Sequence, residues 1–359
     1  MADWRRITGA AGLAVGAAAA GAGAVVAAER IALSRLRGQG DRTCAEPLGT
    51  LRGRPLTVLT DDGVPLHVEL DGPEDAPVSI VFCHGYTLNQ DCWHFQRRDL
   101  AGQRLVFWDQ RDHGRSGRSA RGSASVPQLG ADLATVLAAT VPGRTPVVVV
   151  GHSMGGMTIM ALAAQRPELF GRKVAGAVLV STAARGLDGG SPWMPAPLRP
   201  VISRALPGVL GGAAKGGRAA LVDRGRRASA DLAYLGTRYI GFGDCGTSPA
   251  VVNFLADMIT DTPIEVIAQF SRALMECDMR GSLPVLGRVP VTVMVGAEDR
   301  LISPSLGIEL ATRIPGAELV WVPGGGHALI LERPGLVSKA ITGLAERAVS
   351  GGSRRARSA

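Results

Sequence analysis

The chain has 359 residues, of which 46% are hydrophobic and 19% charged, and 39 Lys and Arg against 31 Asp and Glu leave a net charge of +8. That supplies ample material for a core, as one large domain with an insertion or as two domains. Few aromatics accompany the positive charge, and helix-turn-helix, RNA-recognition and zinc spacings are absent, which argues against nucleic acid as a partner and leaves anionic membrane surfaces as the natural counterpart of a basic patch.

The first informative stretch runs from Ile7 to Ala28, where no residue is charged and Arg5-Arg6 stand just before it. Twenty-two helical residues would span about 33 Å, enough to cross a hydrocarbon core of about 30 Å. Residues 1–37 are therefore read as an anchor or a secretory signal with a basic flank. Small-residue sites such as Ala22-Gly23-Ala24 suit cleavage, and the length of the run favours an uncleaved anchor. The protein is accordingly expected to be membrane-anchored or secreted. A flexible alanine-rich leader on a cytoplasmic protein is the alternative. Arg30, Arg35 and Arg37 follow the run, so positive charge flanks both sides and orientation is left open.

Residues 38–54 read as a polar linker. Residues 56–70 read as a hairpin turning at Asp62-Gly63. Strands follow at 78–83, 104–109, 146–151, 174–181, 290–296 and 317–322, with helical patterns at 126–140, 154–166, 303–313 and 334–348 between them. Such alternation predicts an α/β fold with a mostly parallel central sheet flanked by helices. Glu332 and Arg333 before Pro334 are expected to start the final helix. Residues 349–359 carry Arg354, Arg355 and Arg357 among Ser and Gly and read as a basic disordered tail.

One interval breaks the rhythm. About a hundred residues, 182–283, stand where one helix would suffice, too many for a structureless loop. Apolar residues at helical spacing in 230–242 and 250–277 predict a helical cap or lid there. Its first part is rich in Gly, Pro and Arg, with Lys215, Arg218, Arg224, Arg226 and Arg227 close together. A solvated basic face explains these, and a lid touching lipid headgroups is the second reading.

The chemistry concentrates in three places. Residues 147–156 read Val-Val-Val-Val-Gly-His-Ser-Met-Gly-Gly, a Gly-x-Ser-x-Gly turn between a strand and a helix. The turn is too tight for side chains at 151 and 155 and holds Ser153 at its tip. A serine hydroxyl needs a base, and both an acid and a base follow. Asp299 ends the strand run Val-Thr-Val-Met-Val-Gly-Ala-Glu-Asp, and His327 ends the glycine loop after Glu-Leu-Val-Trp-Val. All three lie just past the carboxyl ends of strands, which share one edge of a parallel sheet. Asp278 is the rival acid, but no strand pattern precedes it. His84, His113 and His152 sit inside turn motifs, and His67 and His94 read as structural or surface residues.

With these residues in this order, the chain resembles an α/β-hydrolase over about residues 55–348, which would make 55–181 and 284–348 the core. Two further segments carry the likeness. Val-Ser-Ile-Val-Phe-Cys-His-Gly-Tyr at 78–86 resembles the family's strand and His-Gly turn, and Asp-Gln-Arg-Asp-His-Gly-Arg-Ser at 109–116 resembles its Asp-x-Arg-Gly-His-Gly-x-Ser loop, with Asp112 where the family often has glycine. The resemblance implies Ser153 as nucleophile, His327 as base, Asp299 as its orienting acid, and the backbone N–H groups of Tyr86 and Met154 as oxyanion donors. It also implies a small-molecule ester or lipid as substrate and no cofactor. A carboxylesterase or monoacylglycerol-type lipase fits best. A cofactor-free perhydrolase, a peptidase and a C–C hydrolase remain open on the same pattern, and a membrane-tethered binding protein on this fold is the non-enzymatic alternative.

The five cysteines, Cys44, Cys83, Cys92, Cys245 and Cys277, form no Cys-x-x-Cys pair. Cys83 reads as a small buried hydrophobe, and a Cys83–Cys92 disulfide is a minor alternative. No metal-ligand cluster is evident.

Overall fold

The computed structural model describes residues 46–120, 122–186, 208, 211–213, 218–228, 230–243 and 246–357. The expected anchor or signal and residues 38–45 of the expected linker lie outside these residues. Among the described residues, no helix is long and apolar enough to cross a membrane.

Eight strands form one sheet: β1 (Arg54–Leu59), β2 (Pro65–Asp71), β3 (Ser79–Cys83), β4 (Arg104–Trp108), β5 (Val147–His152), β6 (Val174–Val180), β7 (Val291–Gly296) and β8 (Glu318–Val322), in the spatial order β1-β2-β4-β3-β5-β6-β7-β8. The first two make the expected hairpin, with Gly63 at φ +82° in its turn, a conformation glycine reaches without steric cost. β2 pairs antiparallel with β4, and every later pairing is parallel. The α/β-hydrolase topology expected from the sequence is present.

Helices cover both faces. In chain order they are α1 (His94–Asp99), α2 (Val126–Thr140), α3 (Met154–Gln165), α4 (Arg218–Ala228), α5 (Ala230–Gly241), α6 (Pro249–Asp261), α7 (Ile264–Met275), α8 (Leu283–Leu286), α9 (Pro304–Arg313), α10 (Leu329–Glu332) and α11 (Pro334–Arg357). Side chains alternate across a strand. Val147 and Val149 therefore pack with Leu133 of α2 and Ile159 of α3, while Val148 and Val150 pack with Val337 and Ile341 of α11. Burial on both faces explains why β3, β4 and β5 are continuous apolar runs rather than alternating ones.

Among the described residues, five helices, α4 to α8, fall between β6 and β7, and α4 to α7 lie within the expected cap. The 250–277 pattern forms two helices, α6 and α7. Thr262, before Pro263, adopts an extended conformation (φ −70°, ψ 121°), because the proline ring disfavours the α region at the residue preceding it. A further helix, α4, forms within the stretch notable in sequence for Gly, Pro and Arg. At the other end α11 does not stop at residue 348 but continues to Arg357, so the expected disordered tail is helical as far as the described residues reach. Extending an existing helix needs no new nucleus. Glu332 does not begin α11. It closes the separate short helix α10, and Arg333 (φ −131°) is not helical.

The 109–116 segment is a buried electrostatic knot behind the carboxyl edge. Arg111 is fully buried and donates from Nε and Nη2 to Asp132 of α2 at 2.6 and 2.7 Å, and from Nη1 to Asp62 of the hairpin turn at 2.8 Å. Burial pushes the Asp132 carboxyl above its usual range although Arg111 opposes this. The Arg111 hydrogen bonds hold the more exposed Asp62 well below it. Asp112, the departure from the family's glycine, sits at φ +68°. Its carboxylate accepts from Ser119 N–H at 2.7 Å and Ser119 Oγ at 2.6 Å, a local bonding that offsets the cost of a left-handed aspartate. Arg111→Ala would leave the Asp132 carboxylate buried without its partner. It is expected to lower unfolding free energy by about 3–5 kcal/mol in urea denaturation, and a change below about 1 kcal/mol would show the knot to be energetically neutral.

Candidate active site

Each parallel strand ends on one edge, and the loops leaving it carry the residues singled out in the sequence. Ser153 stands between β5 and α3 with φ 53° and ψ −118°, a backbone conformation that L-residues rarely adopt. Glycine makes the turn achievable. A Cβ on Gly155 would lie 2.0 Å from the Cys83 carbonyl oxygen, and one on Gly151 would lie 2.5 Å from the Gly155 carbonyl oxygen. The serine backbone is pinned on both sides: its N–H donates to the Val180 carbonyl at 3.0 Å, and Thr182 Oγ1 donates to its carbonyl at 2.7 Å.

His327 and Asp299 meet. His327 Nδ1 lies 2.9 Å from Asp299 Oδ2, and both residues are buried. A carboxylate only accepts, so Nδ1 carries a proton, and in the neutral ring Nε2 is the nitrogen with the lone pair. The other Asp299 oxygen accepts from the Leu301 and Ile302 N–H groups at 2.9 and 2.8 Å, which fixes the carboxylate plane. Asp278, the rival acid, is elsewhere. It is exposed and paired with Arg280 at 2.6 Å, with its carboxyl held down to about 2 by hydrogen bonds from Arg280.

The loop bearing His327 is held from three further directions. His152 Nε2 lies 3.0 Å from the His327 carbonyl. That oxygen can only accept, so Nε2 carries the proton. Burial, with the neighbouring His327, lowers the His152 imidazole to about 3 and keeps it neutral. Glu332 bridges two backbone donors, accepting from Gly326 N–H at 2.6 Å and from Gly243 N–H at 3.1 Å. Ala328 N–H donates to the Gly241 carbonyl at the end of α5 at 2.8 Å. The histidine loop and the α4–α7 insertion are thus joined through backbone.

The loop after β3 is braced from below and above. Beneath it, His84 donates from Nδ1 to the Gly85 carbonyl at 2.8 Å and accepts at Nε2 from Gln110 N–H at 2.8 Å. Gln110 returns a bond from Nε2 to the His84 carbonyl at 2.6 Å and accepts from Thr158 Oγ1 at 2.6 Å. Burial lowers the His84 ring to about 4, so it serves this network as a neutral group. Above, the Tyr86 hydroxyl donates to the Ile267 carbonyl of α7, and Thr262 Oγ1 donates to the Thr87 carbonyl at 2.9 Å. His113 is likewise a packing residue, bonded from Nδ1 to the Arg111 carbonyl at 2.9 Å.

Ser153, His327, Tyr86 and Met154 all line one cavity of about 640 Å³. The Met154 N–H belongs to the first turn of α3, where no helical acceptor exists. The walls are apolar, with Leu88, Met157, Ile240, Leu255, Ile259 and Leu274 prominent. Arg226 also lines it but turns its guanidinium to the Thr262 and Ile259 carbonyls at 2.9 and 2.8 Å and to Asp223 at 3.1 Å. Cys83, Cys92 and Cys277 are free thiols, so the Cys83–Cys92 disulfide does not form, and burial raises the Cys83 thiol to about 12. Among the described residues, no group of three or more His, Cys, Asp and Glu could hold a metal.

A nucleophile turn, a His–Asp pair and a shared cavity at the carboxyl edge of such a sheet define the class. The chain belongs to the alpha/beta hydrolase family, whose model matches residues 80–340. It is 27% identical to a pimeloyl-[acyl-carrier protein] methyl ester esterase of Stenotrophomonas maltophilia over 77% of this chain and 95% of that protein. It is 38% identical to an sn-1-specific diacylglycerol lipase of Mus musculus over 29% of this chain, spanning 34% of the lipase. A lipase of Mycobacterium tuberculosis, also 38% identical, is spanned over 44% of its length. Both lipases are thus matched over less than half of their own length. Among solved structures, a thermophilic esterase from Thermogutta terrifontis superposes with TM-score 0.63 at 23% identity, covering 82% of this chain and 98% of the esterase. An enol-lactonase from Burkholderia xenovorans superposes with TM-score 0.61 at 26% identity, covering 80% and 99%.

Thr182 and Gln110 were given no role in the sequence, and Glu332 only that of starting the last helix. Their partners are distant in the chain, and no local pattern marks them. Glu332→Gln removes one of the two charged acceptors that hold Gly326 and Gly243. Amide exchange at those two glycines is expected to accelerate about tenfold or more, the equivalent of one hydrogen bond to a charged group. Unchanged protection would mean that the glutamate does not hold the loop.

Proposed function

We propose that this protein is a serine hydrolase that cleaves a carboxylic ester, a small ester or a monoacylglycerol-like lipid, through an acyl-enzyme on Ser153. The observation that carries the reading is the buried 2.9 Å His327–Asp299 pair, whose histidine lines one apolar cavity together with Ser153. His327 Nε2 takes the Ser153 proton as Oγ attacks the ester carbonyl. Asp299 orients His327 and stabilises the imidazolium that forms. The N–H groups of Tyr86 and Met154 receive the oxyanion of the tetrahedral intermediate. Collapse breaks the ester C–O bond, and the alcohol departs with the proton from His327. Water then surrenders a proton to His327, attacks the acyl carbonyl, and releases the carboxylic acid and free Ser153.

The acyl group is assigned to the apolar wall formed largely by α5, α6 and α7, which act as a cap. Few polar groups line that wall, which suits a hydrocarbon chain better than a charged one. The esterases and lipases among the relatives agree with ester cleavage as the reaction class.

With p-nitrophenyl esters of increasing chain length, kcat/KM is expected to rise about twofold or more per methylene from acetate to octanoate, a fraction of the roughly 0.8 kcal/mol available per buried methylene. Ser153→Ala is expected to lose at least about a thousandfold of that activity. Turnover that survives in Ser153→Ala would overturn the acyl-enzyme, and a rate that falls with chain length would overturn the apolar acyl site.

A further inference from the structure

Four of the large hydrophobic side chains exposed among the described residues fall between positions 221 and 239, on α4 and α5. They are Leu221 (69% exposed), Leu232 (71%), Leu235 (44%) and Tyr239 (54%). On α5 the spacing is i, i+3, i+7, which places Leu232, Leu235 and Tyr239 along one side of the helix. The other side is committed inward: Tyr234 and Thr237 are buried, and Ile240 lines the cavity. An apolar stripe facing water over two turns is unusual for a helix whose opposite side already packs against the protein.

Positive charge accompanies the stripe. Exposed Arg218, Arg224 and Arg227 stand on α4 around Leu221. The acid of α4, Asp223, is engaged by Arg226 at 3.1 Å and by Ile264 N–H at 3.1 Å. The Arg300 guanidinium lies 4.6 Å from the centre of the Tyr239 ring, so a cation covers the end of the stripe as well. Leu232 belongs to both surfaces, since it faces solvent and also lines the cavity that contains Ser153.

We propose that α4 and α5 form a docking surface for an anionic lipid bilayer, with Leu221, Leu232, Leu235 and Tyr239 entering the headgroup–acyl boundary and Arg218, Arg224 and Arg227 against the headgroups. Leucine with arginine beside it is the composition of helices that lie in a membrane interface, where buried apolar area and attraction to anionic lipid add together. The position of Leu232 gives the docking a purpose. An ester substrate would leave the bilayer beside that residue and reach Ser153 along apolar walls. The lipid substrate rests on the hydrolase reading above, whereas the docking itself does not.

The test uses the full chain and two variants. Leu235→Trp places a fluorophore on the stripe and outside the cavity lining. With vesicles of equal parts phosphatidylcholine and phosphatidylglycerol, the added emission is expected to be quenched when the acyl chains are brominated, and to be quenched far less on phosphatidylcholine alone. Because this readout is local, it is unaffected by any other segment that holds the protein to the vesicle. Leu221→Asp/Leu235→Asp is expected to weaken vesicle partitioning about tenfold or more while turnover of a water-soluble ester stays within about twofold of the parent. Unquenched emission from vesicle-bound Leu235→Trp would overturn the proposal. A parent that dimerises in solution, and becomes monomeric in the double variant with partitioning unchanged, would overturn it in favour of a second copy as the occupant. If no variant or parent turns over the soluble ester while quenching persists, the hydrolase reading fails and the docking stands.

Discussion

The proposed chemistry rests on one close backbone approach. The first turn of α3 comes so near the end of β3 that a methyl group on Gly155 would sit 2.0 Å from the Cys83 carbonyl oxygen. That approach leaves Ser153 the φ of 53° it adopts at the head of the helix. The strain is met by bonds on both sides of the residue, from Ser153 N–H to Val180 and from Thr182 to the Ser153 carbonyl. A rare conformation persists only where its surroundings over-determine it, and here the end of β6 and the residues just after it do so. The same approach brings the first turn of α3 beside the loop that carries Tyr86, so the proposed nucleophile and oxyanion donors are set by one packing event.

The insertion between β6 and β7 is more than a cover. It grips the two loops on which the proposed mechanism relies: the β3 loop, through Tyr86 to Ile267 and Thr262 to Thr87, and the histidine loop, through Gly241 to Ala328 and Gly243 to Glu332. A displacement of α5, α6 or α7 would therefore be felt at both. In this structure the element that shapes the pocket also positions groups around it, which links choice of substrate to precision of the site.

Much of this was legible in the sequence because it is local. The β-branched run ending at Gly151, the hairpin at Asp62-Gly63, and the strands that precede Asp299 and His327 are short patterns whose physical meaning does not depend on distant residues. The chain order of serine, acid and histidine then needed only a parallel sheet to bring them to one edge. What escaped is nonlocal. Glu332 was expected at the start of the last helix, yet it reaches back to Gly326 and across to Gly243. No spacing announces that Gln110 completes a network with His84 and Thr158. The division of 250–277 was within reach, since Pro263 lies in it. Periodicity alone does not show that division, whereas the restriction a proline places on the residue before it does. The extension of α11 to Arg357 contradicts the low helix propensity of Gly351 and Gly352, a local preference overridden by propagation from a packed helix.

The central claim is that Ser153, and no other nucleophile, is activated by His327. Intact-mass spectrometry after treatment with a fluorophosphonate tests it most directly, because the reagent captures a serine only where a base has made the hydroxyl nucleophilic. The account predicts one adduct per chain, localised by peptide analysis to Ser153 and absent from Ser153→Ala. A folded wild-type protein that remains unlabelled, or an adduct on any other residue, would contradict it.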